Sequence, residues 1–201
     1  MSNECKLFEI YLKELLEWNK KINLTAVTGP EEIKIRHFED SLSILQAVDL
    51  DKQKVVDIGP GAGFPGIPLK IACPNIKLTL VEATRKKVEF LKHIVSVLGL
   101  SDVEVVWGRA EEIQKDKAFA SQFDVVLARA VAKLPELIKY CLPFLKRGGI
   151  FIAQKQDDVE AEIEASRNVL KKYSGILREV KKVKIGDATR SLVVVERTSP
   201  A

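Results

Sequence analysis

The chain has 201 residues, 46% hydrophobic and 30% charged, with 32 basic against 28 acidic side chains and a formal net charge of +4. That suits one domain with a full core and leaves no room for a second catalytic domain; the mild positive bias is compatible with a polyanionic partner met by a local patch. No apolar run approaches a membrane span, and the amino-terminal stretch carries acids without a small-residue cleavage site, so a soluble, cytoplasmic protein is expected. Cys5, Cys73 and Cys141 are far apart and only His37 and His93 accompany them, a pattern of neither a disulfide framework nor a zinc site.

Phe8, Leu12, Leu15 and Leu16 recur at helical spacing, which predicts an amphipathic helix over 5–20 with Trp18 packed in the core. Pro30, Glu31 and Glu32 open a second helix over 31–47, proline suiting the first turn and acids the positive end. Residues 1–50 thus form a helical cap ahead of an α/β core over 51–201, within a single domain. From there apolar runs and helical patterns alternate. Strands are expected at 54–58, 77–81, 103–106, 123–127 and 149–153, with helices at 66–72, 85–98, 111–115, 134–145 and 157–172. Such alternation specifies a parallel sheet with helices on both faces. The runs 176–185 and 191–197, separated by Gly186-Asp187, close the chain as an antiparallel hairpin.

The chemistry concentrates in KVVDIGPGAGFPG, residues 54–66, where a buried strand ends in Asp57 and glycines follow at Gly59, Gly61, Gly63 and Gly66. Glycine alone offers positive φ and no Cβ where a ligand approaches the backbone between a strand and a helix. Gly61 to Gly66 fits the dinucleotide spacing G-x-G-x-x-G, with Glu82 as ribose acid. Asp57 to Gly63 fits the turn of S-adenosylmethionine (SAM) methyltransferases equally well. The second reading is the better one, because it sets an acid and a glycine at the strand end for the ammonium of an amino-acid ligand, and because a terminal antiparallel hairpin suits that fold.

Glu82, ending the second strand, points into the same crevice and accepts both ribose hydroxyls. Ala110-Glu111 follow the third strand and border an adenine; Arg129 follows the fourth as a cation in the crevice. The slot after strand four holds Leu127-Ala128-Arg129-Ala130 rather than an Asn/Asp-Pro-Pro-aromatic turn, which disfavours exocyclic amine methylation. Cys141 lies within a helix away from the strand end, which disfavours a cysteine-dependent attack on cytosine. A ring nitrogen such as guanine N7 has its own lone pair and requires no general base, only positioning and electrostatic preorganisation.

WNKKINLTAV (18–27), RHFEDSL (36–42), DIGPGAGFPGIPL (57–69), KKVEFL (86–91), GRAEE (108–112) and FDVVLARAVA (123–132) together resemble the bacterial small-subunit ribosomal RNA guanine-N7 methyltransferases, also called glucose-inhibited division protein B. The resemblance implies a class I SAM-dependent methyltransferase fold and a guanine of 16S rRNA in the 30S subunit, near the decoding site, as acceptor. Carried over by position, Gly59, Phe64, Ala110, Glu111 and Arg129 contact SAM, and His37, Asp40 and Ser41 sit near the pocket mouth. Ala153-Gln154-Lys155 is followed by Gln156 where the family commonly has glycine. Lys155 and Arg190 are the candidates for RNA contact, Arg85-Lys86-Lys87 another, and Arg129 and His37 position the substrate. The alternatives are a SAM-binding ribosome assembly factor without catalysis, or a methyltransferase for a non-ribosomal substrate.

Overall fold

The computed structural model describes residues 2–198. Five parallel strands run through it: β1 (Lys54–Ile58), β2 (Lys77–Glu82), β3 (Val103–Trp107), β4 (Phe123–Arg129) and β5 (Leu145–Gln156). β6 (Gly175–Ile185) and β7 (Ala188–Arg197) form the expected hairpin, with β7 antiparallel between β5 and β6. The sheet order is β3-β2-β1-β4-β5-β7-β6. The chain leaves the centre through β2 and β3, then returns to β4 on the other side of β1. Ligands of open α/β sheets bind at the carboxyl ends of the strands where the order reverses in this way.

Val55, Val56, Leu80, Val126 and Leu127 are almost fully buried, as parallel strands covered on both faces require. On one face α1 (Asn3–Asn19), α4 (Gly66–Ala72) and α5 (Arg85–Val97) bury Leu15, Ile67, Leu69 and Phe90 against Leu78 and Leu80. Trp18, expected in the core, is partly buried at its edge, with its ring tilted against those of Phe90 and His93. On the other face α7 (Leu134–Cys141) and α8 (Glu160–Lys172) enclose Leu137, Ile138 and Phe151. The short α6 (Ala110–Ile113) follows β3.

The second helix of the cap departs from expectation. Instead of one regular helix over 31–47, α2 (Pro30–Ile33) passes into a π-helical turn (Lys34–Glu39), then α3 (Asp40–Leu42) and a 3₁₀ turn (Ser43–Gln46). Ser41 Oγ donates to His37 O at 2.5 Å across the junction. Wider π turns recur where side chains must be re-aimed toward a site. Here the turn carries Arg36 and His37 to the end of β4.

Candidate functional site

The carboxyl edge of the sheet holds a crevice in three adjoining parts. An inner part of about 390 Å³ is walled by Ile58, Gly59, Val81, Glu82, Ala110, Glu111, Val131 and Tyr140. A narrow part of about 180 Å³ lies over the glycine turn, between Gly59, Gly61, Phe64, His37 and Arg129. An outer part of about 530 Å³ is bounded by Arg36, His37, Asp40, Arg129, Lys155, Glu162 and Arg190. Gly59 and Ala130 are shared by the first two parts, His37 and Arg129 by the last two.

The turn is built for close approach. Gly59 has φ +68°, and a Cβ there would lie 2.8 Å from Val131 Cγ2. Gly63 has φ +99° and abuts the Tyr11 hydroxyl and Ile67, so it makes room for α1 rather than for a ligand. Tyr11, fully buried, donates to Ala62 O at 2.5 Å and ties the turn to the cap. Glu82 Oε2 accepts the Gly61 N–H at 3.1 Å and Oε1 the Thr84 N–H at 2.8 Å, which fixes the carboxylate on the crevice wall.

Asp57 is placed differently from the expectation that it faces the ligand. Its side chain is fully buried on the α4 side, where Oδ2 accepts the Gly66 N–H at 2.7 Å and Oδ1 has no partner among the described residues. Burial pushes this carboxyl up to about 7, against the pull of the Gly66 bond and of Arg129. The alternation of side chains along β1 explains the placement: Val56 and Ile58 face α7, so Asp57 must face α4. The acid thus holds the amino end of α4 from behind the turn.

Arg129 joins the narrow and outer parts. Its Nη1 donates to Asp40 Oδ2 at 2.9 Å and to Arg36 O at 3.2 Å, and its guanidinium lies 5.3 Å from the centre of the Phe64 ring. Nη2 is 2.9 Å from His37 Nδ1, which also lies 3.0 Å from Arg36 O; a bare Nδ1 accepts from the guanidinium and a protonated one donates to the carbonyl, so the tautomer decides which bond forms. His37 Nε2 lies 2.7 Å from Thr25 Oγ1, whose hydroxyl can donate to it or accept from it as the tautomer requires. Burial first and the charge of Arg129 second lower His37 to about 4, so it is neutral near pH 7. Burial raises Asp40 while Arg129 and Arg190 oppose the rise; burial likewise lowers Arg129, which Asp40 offsets.

Lys155 and Arg190 both reach the outer part, though neither is free. Lys155 Nζ bonds Ala132 O at 3.0 Å and pairs with Glu162 at 2.8 Å, while Arg190 Nε lies 3.4 Å from Asp40 Oδ1. Ser41 is buried on the helix backbone and does not line the crevice. Ala110 and Glu111 line the inner part. Gln154 is unforeseen: from β5 its Nε2 donates to Asp40 O at 2.5 Å and Asp40 Oδ1 at 3.0 Å. A glutamine in the apolar run GIFIAQK was the available signal. Tyr140 and Val131, which complete the inner wall, carried no comparable mark.

The fold matches solved structures at low identity. A mutant of MtNAS in complex with S-adenosylmethionine superposes with a TM-score of 0.65 at 18% identity, over 96% of this chain and 73% of that one. M. jannaschii TYW2 in complex with AdoMet gives 0.62 at 19% identity, over 80% and 76%. By sequence, residues 4–193 match the GidB family, described as rRNA small subunit methyltransferase G. Proteins named ribosomal RNA small subunit methyltransferase G from Thermoanaerobacter pseudethanolicus and Alkaliphilus metalliredigens are 45% and 46% identical, over 94% and 97% of this chain and 80% and 83% of theirs. With a glycine-rich crevice at the switch point of a class I methyltransferase sheet and likeness along nearly its whole length, the chain belongs to the rRNA small subunit methyltransferase G family.

Proposed function

We propose that this enzyme transfers a methyl group from SAM to N7 of a guanine in 16S rRNA, with the 30S subunit as substrate and the reaction centre where the narrow and outer parts of the crevice meet. The observation that carries this reading is the continuity of the crevice across Gly59, Ala130 and Arg129, from an inner part that fits a nucleoside to an outer part edged with cations. Bound there, SAM supplies an electrophilic methyl on a sulfonium.

The chain's own residues do the rest. Glu82, already anchored through two backbone N–H groups, has remaining lone pairs for ribose hydroxyls. Val81, Ala110, Val131 and Tyr140 give the inner part apolar walls suited to an adenine, with Glu111 beside it. Gly59 and Gly61 let the ligand reach the backbone; Phe64 floors the narrow part and Arg129 offers N–H donors to a carboxylate. Asp57 and Gly63 act at one remove, holding the turn.

At the acceptor end no proton must leave the attacking nitrogen, and no general base is assigned. The purine gains positive charge as it is methylated, so neutral His37 is better placed beside it than another cation. Asp158 and Glu162 supply negative charge in the same compartment. Residues 1–50 and 51–201 act as one domain in this reading, because Tyr11, His37 and Asp40 of the cap complete the site.

Equilibrium binding of SAM to Glu82→Gln tests the assignment. An amide keeps the shape but presents one acceptor instead of two, and affinity is expected to fall about ten-fold or more. Unchanged affinity in a folded variant contradicts the assigned ribose site.

A further inference from the structure

Trp107 ends β3, the outermost parallel strand, with 59% of its surface exposed, the most among the large apolar side chains of the described residues. An indole left in water forgoes the burial that core aromatics gain. The ring is nevertheless held: Nε1 donates to Ala83 O at 3.0 Å, and the Arg85 guanidinium lies 5.7 Å from the ring centre.

A second peculiarity adjoins it. The first turn of α5 carries Arg85, Lys86 and Lys87 and no acid, and Thr84 gives no side-chain cap. Cations at the positive end of a helix weaken it. Exposed Arg109 lies just beyond Trp107 in the chain. Lys87 and Arg109 border the inner crevice, whereas Trp107 and Arg85 line none of its three parts. Neither the fold nor the site described above uses the ring.

We propose that Trp107, with Arg85, Lys86 and Arg109, forms a second RNA contact beside the inner end of the crevice, where an unpaired base stacks on the indole and the cations meet flanking phosphates. This rests on the reading of the chain as an rRNA methyltransferase. Because the indole N–H is spent on Ala83 O, the ring offers a partner its π surface alone, which suits base stacking more than a protein hot spot that also engages the N–H. The contact lies at the inner end of the crevice, away from Arg190 and Lys155, so it positions the substrate and takes no part in methyl transfer.

The test compares the parent enzyme with Trp107→Ala and Trp107→Phe on unmethylated 30S subunits, measuring subunit affinity, kcat and SAM affinity. Trp107→Ala is expected to weaken subunit binding and raise KM about ten-fold, with kcat and SAM affinity unchanged, and phenylalanine to restore most of the loss. The salt dependence of binding keeps its slope in Trp107→Ala and becomes shallower in Lys86→Gln. A Trp107→Ala variant binding subunits within two-fold of the parent overturns the contact. So does crosslinking of p-benzoylphenylalanine at position 107 to a ribosomal protein instead of 16S rRNA. Failure of the parent itself to bind subunits overturns the functional reading as well, whereas a parent that binds and methylates normally beside an unaffected Trp107→Ala removes this contact alone.

Discussion

Arg129 at the end of β4 and Asp40 in the cap form an ion pair of 2.9 Å, with 15% and 5% of their side chains exposed. The pair joins the strand that ends at the crevice to the irregular helix that covers it. Removing one partner of such a pair leaves the other charged in a dry place. Asp40→Ala is expected to cost about 3 kcal/mol in urea denaturation and to lower SAM affinity by loosening Arg129. Arg190, 3.4 Å from the same carboxylate, loses its partner too.

The glycine turn predicts a graded response. At Gly59 an added Cβ would approach Val131 Cγ2 to 2.8 Å at φ +68°, while at Gly61 the nearest atom is the flexible end of Lys87 at 4.0 Å, at φ +60°. Both alanine variants carry backbone strain of about 1 kcal/mol. Gly59→Ala alone also crowds the crevice wall, and its SAM affinity, measured by calorimetry, is expected to fall at least ten-fold further than that of Gly61→Ala.

Much of this was legible in the sequence. Strand β1 and helix α4 fall where the apolar run and the glycine turn predict, and the final hairpin follows from its turn residues. The strands β4 and β5 run further than expected, because pairing with their neighbours extends past the apolar run: Arg129 pairs with Gln154, and Gln156 with Arg190. Side-chain direction was harder to read. Asp57 follows the pleat to the α4 face, which a motif alone does not state. The π turn and Tyr11's bond to Ala62 depend on contacts between the cap and the core, and local spacing carries no record of them.

His37 gives a pH dependence of definite sign. Its folded value, about 4, lies below the usual 6.5, so its contribution to stability is present above pH 6.5 and is lost as pH falls through about 4. Asp57 works oppositely: raised to about 7, it favours the fold most below 3.8, and that contribution is lost as pH rises through about 7. Comparing the parent with His37→Gln keeps Asp57 common to both. Between pH 7.5 and 5 the parent is expected to lose stability relative to the variant, on the order of 1–2 kcal/mol after screening, as read by urea denaturation.

Lys155 and Arg190 are separable by salt. Lys155 is already matched by Glu162 at 2.8 Å, whereas Arg190 shares the already paired Asp40 at a longer 3.4 Å. Arg190→Ala is expected to weaken 30S binding and reduce the slope of log affinity against log salt by about 0.7. In Lys155→Ala the slope is expected to stay unchanged, with any loss of activity arising from the freed Glu162 carboxylate. Equal slopes for both variants contradict the distinction.

The central claim is tested most directly by methyl transfer from radiolabelled SAM to 30S subunits prepared from cells lacking this enzyme, followed by nucleoside analysis of the 16S rRNA. Label recovered in 7-methylguanosine is the predicted result. Label in any other nucleoside, or none on subunits while the protein binds SAM, contradicts it.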